Sequence, residues 1–191
     1  MKVALIAVGV IVLIVVMLGM SVMGSRNEMV TQKEGIAAAF AQVDVALQRR
    51  AELIPNLVET VKGFAGQEKE VFANIANARA QMAGARTPGE KIAANSQMDG
   101  ALGRLLVVSE NYPQLRSSEN FSRLMDELSG TENRINVERR KYNEAVQKYN
   151  TNIALFPNNI AAGLFNFSRE EAYFKTDAGS RVAPKVNFSN K

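Results

Sequence analysis

Hydrophobic and polar residues change their spacing once along this chain, near residue 24. From Val3 to Met23 the run VALIAVGVIVLIVVMLGMSVM carries no charge and one hydroxyl, Ser21. As a helix this run reaches roughly 30 Å, the hydrocarbon thickness of a bilayer. Beyond Gly24 the apolar residues recur every three or four positions. Ile36, Phe40, Val43, Leu47, Ala51, Ile54, Val58, Val61, Ala65, Glu68, Phe72, Ile75, Arg79 and Met82 form one stripe, and twelve of these fourteen are apolar. That period predicts a helix, not a strand. Pro55 lacks an N–H and crowds the turn at Ala51, so it predicts a kink. The phase survives Gly63 and Gly66, so the stripe predicts one helix of roughly 70 Å ending at Met82.

The segment Ala83 to Thr87 breaks the pattern. Thr87, Pro88 and Glu90 then predict a helix start, with Thr as cap, Pro in the first turn and Glu three residues after the cap. The second helix runs from about Pro88 to Asn111, with Ile92, Met98, Leu102, Leu105, Leu106 and Val108 on its apolar side. Tyr112 before Pro113 stops it. Ser117 or Ser118 caps a third helix over about 118–156. There, Phe121, Leu128, Ile135, Tyr142, Tyr149 and Phe156 repeat every seventh residue. Met125, Glu132, Arg139, Val146 and Ile153 run alongside as a second column, and together the two make a knobs-into-holes seam. A third column, Ser122, Ser129, Asn136, Asn143 and Asn150, offers small and amide groups to a close neighbour. Phe156 before Pro157 ends the helix, and Asn158 or Asn159 caps a short one from Ile160 to Phe165. From Thr176 the chain is polar, with Val182, Val186 and Phe188 available to dock as an extended strip.

Three helical segments with short connections fold back antiparallel. The predicted fold class is all-α: an N-terminal transmembrane helix followed by an antiparallel helical bundle of four helices, counting the short one. The first is very long and kinked at Pro55. The expected domains are an anchor over 1–25, a helical-bundle domain over 26–175 and a polar tail over 176–191.

The apolar run competes with a cleaved signal peptide, whose apolar core is about 7–15 residues long. This one is longer, and its small residues Gly19 and Ser21 lie inside it, so an uncleaved signal anchor is expected. No cysteine follows, which excludes a lipid-modified N-terminus. The expected partner of residues 3–23 is the lipid bilayer itself, making this a single-pass membrane protein. Lys2 and the α-amino group on one side nearly balance Arg26 and Lys33 on the other, so the positive-inside rule favours neither orientation.

Charge adds little. With Lys2 set aside, 22 basic residues face 19 acidic ones, a net charge of +3. They are interleaved, as around Arg139 and Arg140, where nucleic-acid binding asks for a clustered basic face. No nucleic-acid partner is expected. Cysteine, histidine and tryptophan are all absent. Thiolate nucleophiles, disulfides, thiolate metal sites and imidazole bases are therefore excluded. No catalytic, cofactor-binding or metal site is expected.

Polar groups on the seam carry what chemistry there is. Glu132 and Arg139 interrupt it, and Arg50 lies three residues after Leu47 and four before Ile54. Such groups persist in a core when paired, so Glu132 is expected to pair with Arg50. Tyr142 and Tyr149 read as core tyrosines with hydroxyls at the bundle edge, beside Asn143 and Asn150.

The segment LIPNLVETVKGFA, Leu53 to Ala65, with Pro55 and Asn56 inside it and Arg49 and Arg50 before it, resembles the first conserved block of the LemA family. Tyr112 to Leu115, Asn120 with Phe121, and Thr131 to Ile135, which includes Glu132, Asn133 and Arg134, resemble the second. Arg140 to Asn143, Tyr149 with Asn150, Phe156 with Pro157, Tyr173 with Phe174, and Pro184 to Val186 continue the likeness over nearly the whole chain. The resemblance implies a bacterial, single-pass membrane protein with an antiparallel four-helix bundle. It implies no reaction and no catalytic residue, and it points to membrane-associated assembly or quality control. The expected function is a membrane-anchored interaction or scaffold module that binds a membrane protein or itself. The alternative is a ligand-binding or sensory bundle holding a small molecule near Glu132, Tyr142 and Asn143. Arg50, Pro55, Asn56, Glu132, Asn133, Arg134, Arg139, Tyr142, Asn143, Tyr149 and Asn150 are the candidate structural or interaction residues.

Overall fold

The computed structural model describes residues 2–174, apart from the side chains of residues 3 and 4. The tail from residue 176 and the strip of Val182, Val186 and Phe188 lie outside the described residues. Six helices follow in order: α1 Lys2–Ala65, α2 Lys69–Gly84, α3 Pro88–Glu110, α4 Pro113–Arg116, α5 Glu119–Ala154 and α6 Asn158–Leu164. No strand occurs among the described residues, and the fold is all-α.

The sequence expectation fails at the end of the first stripe, which splits between α1 and α2, and it did not include the short helix α4. The apolar run and the first stripe join into one uninterrupted helix of 64 residues, passing through Gly24, Ser25 and Pro55. Neither glycine nor serine breaks the helix there. The stripe does not continue to Met82 as one helix. It stops at Ala65 and resumes at Lys69. The Glu68 N–H reaches back to the Ala65 carbonyl at 3.1 Å, and Glu68 leaves the helical region with φ −80° and ψ 52°. A Cβ at Gly66 would meet the Lys62 carbonyl oxygen at 3.2 Å, which favours glycine at this tight turn. The phase survives because Val61, Ala65, Ile75 and Met82 all bury their side chains, although they stand on two helices.

The chain divides into two compact units, one of residues 2–44 with 137–171 and one of residues 45–136 with 172–174. In the second unit α1 and α2 face each other across Ile54, Val58, Phe72 and Ile75. The Lys62 ammonium lies 5.7 Å from the Phe72 ring centre. α3 returns alongside α1, with Asp99 near Arg50 and Tyr112 near Glu68. The first part of α5 runs back along α1, with Glu127 beside Arg49 and Glu132 beside Arg50. This is a four-helix, up-down-up-down arrangement. Its core holds Leu47, Leu53, Ile54, Leu57, Val61, Ile75, Met98, Leu105, Leu115, Phe121 and Leu128. The α3 start is a complete capping box: the Thr87 side chain accepts from the Glu90 N–H, and the Glu90 carboxylate accepts from the Thr87 N–H.

In the first unit α1 and α5 are antiparallel. Phe40 meets Tyr142 edge to face at 5.5 Å, Asn152 Nδ2 donates to Gln32 Oε1 at 3.0 Å, and Ser25 Oγ donates to Asn158 Oδ1 at 2.7 Å. Met29, Ile36, Val43, Tyr142, Val146, Tyr149 and Ile153 fill this core. Two local expectations fail here. Asn158 does not cap α6; it lies inside the helix, and its side chain is engaged with Ser25 and Asn152. Phe156 ends its column exposed, because the helix stops at Ala154 and the chain turns away. α6 ends in a Schellman-type turn, with Asn166 at φ 57° and the Phe167 N–H bonded to the Ala162 carbonyl at 2.9 Å.

Candidate functional site

Arg50 is the polar centre of the second unit. α1 buries it to 7% exposure between Leu47 and Ile54. Its Nη1 lies 2.5 Å from Asp99 Oδ1, 2.9 Å from Glu132 Oε2 and 3.4 Å from Asn95 Oδ1. Asn95 Nδ2 in turn donates to Asp99 Oδ2 at 2.8 Å. One guanidinium thus ties three helices, and two carboxylates face one cation. The sequence pattern brought Arg50 and Glu132 together but left out Asn95 and Asp99. The signal was present: Asn95, Met98, Leu102, Leu105 and Ser109 step by three or four residues, and all five are buried.

Beside this cluster lies a cavity of about 170 Å³ lined by Leu57, Leu102, Leu105, Leu106, Met125, Leu128 and Ser129, with Arg50 and Glu132 at one side. Its wall is mostly hydrocarbon. Arg50 Nε is buried and has no hydrogen-bond partner. A second cavity, of about 200 Å³, lies between α1 and α2 and includes Pro55, Glu59 and Lys62. Asn56 is exposed, and its carbonyl accepts the Thr60 hydroxyl at 2.8 Å. Asn133 and Arg134 are exposed on α5.

Arg139, Tyr142, Asn143, Tyr149 and Asn150 belong to the first unit. Arg139 and Asn143 are half-buried, and Tyr142 is fully buried. The cavity beside Glu132 is lined by neither Tyr142 nor Asn143. Glu138 is a further buried carboxylate that the sequence reading missed. It lies three residues after Ile135 and four before Tyr142, and Lys141 Nζ approaches it at 3.1 Å. Tyr149 and Asn150 hold the chain that follows α6. The Tyr149 hydroxyl donates to the Ser168 carbonyl at 2.9 Å. Asn150 takes both main-chain groups of Glu170, Nδ2 to the carbonyl at 2.8 Å and Oδ1 from the N–H at 2.9 Å. Burial first, and the Glu170 carboxylate second, push the Tyr149 hydroxyl above its ordinary pKa. Among the described residues, no group of three or more carboxylates is placed to hold a metal ion.

The profile of the family described as LemA matches residues 39–188. The chain belongs to the LemA family. Magnetosome protein MamQ 2 of Paramagnetospirillum magneticum is 29% identical over 179 residues, covering 80% of this chain and 66% of its own. Magnetosome protein MamQ of Magnetospirillum gryphiswaldense is 26% identical over 188 residues, covering 84% of this chain and 69% of its own. Protein LemA of Metamycoplasma hominis is 24% identical over 140 residues, covering 73% of this chain and 64% of its own. This LemA-family chain thus spans just under two thirds of the length of MamQ 2. The family match takes in the Arg50–Asp99–Glu132 cluster and the Tyr149–Asn150 clasp. It begins after the apolar run, which the structure places at the start of the same helix.

Proposed function

We propose that this LemA-family protein is a single-pass, membrane-anchored helical scaffold that binds a membrane protein or a second copy of itself, without a catalytic activity of its own. One observation carries the reading. The first part of α1 is long and apolar enough to cross a membrane, and none of that stretch is buried inside the molecule. A helix apolar all round and left uncovered by its own chain asks for a lipid surround. Tethering raises the effective concentration of the helical units for partners in the same bilayer. The magnetosome names of two relatives support a place in membrane-associated assembly. The absence of histidine and cysteine supports a binding role over a chemical one.

Crosslinking in intact membranes, followed by mass spectrometry, tests the reading. Recovery of a reproducible membrane-protein partner or of a self-crosslinked dimer is expected, and recovery of neither overturns the scaffold role. Reporter fusions on both sides of the anchor fix the compartment.

The Leu-lined cavity favours a second reading, a small-molecule site in the second unit. Its volume suits a small apolar molecule, and Arg50 Nε would donate to one neutral acceptor. A free anion is disfavoured by the two carboxylates already on Arg50. Ligand-dependent thermal stabilisation, lost in a Ser129→Phe variant that fills the space, is the outcome this reading requires.

A further inference from the structure

Among the described residues, the turn around α6 presents a cluster of exposed apolar side chains outside the anchor. No charged residue occurs between Lys148 and Arg169. Within that stretch Leu155, Phe156, Ile160 and Leu164 are 58%, 80%, 59% and 67% exposed. Ala161 and Ala162 are buried, so α6 is seated on its own unit and turns larger groups outward. Single exposed apolar residues are ordinary, but four of them in ten uncharged positions make a patch.

The structure fixes the level of this patch along α1. Ser25 Oγ donates to Asn158 Oδ1 at 2.7 Å, and Asn158 Nδ2 bonds Asn152 Oδ1. The Arg26 guanidinium lies 5.5 Å from the Phe165 ring centre. Both ends of α6 are therefore tied to neighbouring residues of one α1 turn. Ser25 stands two residues past Met23, the last residue of the apolar run, and α1 is helical through this point. At 1.5 Å per residue Ser25 lies about 3 Å beyond the end of that run. The headgroup layer on each side of the hydrocarbon is about 5–8 Å deep.

We propose that Leu155, Phe156, Ile160 and Leu164 dip into the headgroup–acyl boundary of the bilayer that α1 crosses, giving the protein a second membrane contact that does not span. The proposal rests on the anchor reading above. Lipid is the occupant because the patch is continuous in level with the anchor, lacks charge and is bordered by hydroxyl and amide groups suited to an interface. Apolar groups at this depth bind where headgroups and chains meet. Arg26 beside Phe165 places a cation at the height of lipid phosphates. Two contacts, one through the bilayer and one on it, would hold the tilt of α1, which an anchor alone leaves free.

The test uses the full chain in vesicles of phosphatidylethanolamine and phosphatidylglycerol. The sequence has no cysteine, so single variants Val12→Cys, Val107→Cys, Ile160→Cys and Leu164→Cys take an environment-sensitive fluorophore cleanly. Quenching is read with acyl-brominated lipids and with aqueous iodide. Labels at 160 and 164 are expected to be quenched by the brominated lipids and to show roughly threefold less iodide quenching than the label at 107, as for a side chain set into the interface. Accessibility at 160 and 164 equal to that at 107, with the label at 12 shielded by lipid, overturns the second contact and leaves the anchor standing. Iodide shielding at 160 and 164 without bromolipid quenching also overturns it, because protein then covers the patch. A label at 12 open to iodide overturns the anchor reading and this proposal with it.

Discussion

Arg50 on α1 meets Glu132 on α5 at 2.9 Å, and the same Nη1 holds Asp99 of α3 at 2.5 Å. Three helices of one unit share this cation, whose side chain is 9% exposed, while the carboxylates keep 34% and 26% of their surface in water. Breaking a buried pair by deleting one partner costs more than the pair contributes, because the surviving charge is left uncompensated. Arg50→Ala leaves two carboxylates near one another and is expected to destabilise by about 3 kcal/mol, the low end for buried pairs given their partial hydration. Glu132→Gln keeps the Asp99 contact and is expected to lose about 1 kcal/mol. Urea unfolding of the full chain in detergent, followed by circular dichroism, measures both. Equal losses would contradict Arg50 as the shared centre.

The cavity next to this cluster gives a second test. Leu105 is 1% exposed and lines it. Leu105→Ala removes buried methyl groups and enlarges a space already present, so a loss of about 2–5 kcal/mol is expected. The enlarged space should also admit a small apolar probe such as benzene. Thermal unfolding with and without the probe should show a larger gain for the variant than for the parent.

The helix period, the capping box at Thr87 and the proline stops were legible in the sequence because each is a local rule. Distances along the chain carried them without knowledge of the rest of the fold. The turn at Gly66 was not legible, because helical phase alone cannot tell one long helix from two that share a core. Val61, Ala65, Ile75 and Met82 keep the same spacing in either case. Asp99, Asn95 and Glu138 were missed for a related reason. Polar residues on an apolar stripe look like interruptions until a partner on another helix is known. Glu132 was recognised only because its seam was so regular. The sequence offers Asn158 or Asn159 as the cap of α6, but Pro157 holds that position and the Asn158 side chain bonds Ser25 and Asn152, partners set by packing between helices.

Acid should weaken the start of α3. The Arg86 and Thr87 N–H groups donate to Glu90 Oε2 at 2.7 and 3.1 Å. These bonds, Arg86's first, hold the Glu90 carboxyl below its ordinary value of 4.5. A lowered folded pKa stabilises above the unfolded pKa, and that stabilisation is lost as pH falls through the lowered folded value. Glu90→Gln retains a capping acceptor without the titration. Parent and variant are therefore expected to diverge above the carboxylate range and converge below it, in unfolding curves recorded across acidic pH. A constant difference at every pH would count against the cap as the titrating element. Thr87→Ala, which removes the other half of the box, is expected to lose about 1 kcal/mol with little pH dependence.

Tyr149 and Asn150 clasp a segment that has no regular structure of its own. The Asn150 amide makes two bonds to Glu170, and the Tyr149 hydroxyl makes one to Ser168. Asn150 is 4% exposed, so Asn150→Ala opens a gap and strands two main-chain groups. Each neutral hydrogen bond contributes about 1 kcal/mol net. Loss of both should therefore shift the local opening equilibrium of the segment by about 2 kcal/mol, on the order of 30-fold. Arg169 sits inside the clasped stretch and offers a trypsin site. Cleavage there is expected to accelerate on that scale in Asn150→Ala, and by about fivefold in Tyr149→Phe, which loses one bond and keeps the ring. Cleavage after Arg116, on α4, should be unchanged in both variants. A uniform acceleration at both sites would mean that Asn150 supports the whole fold and does not clasp one segment.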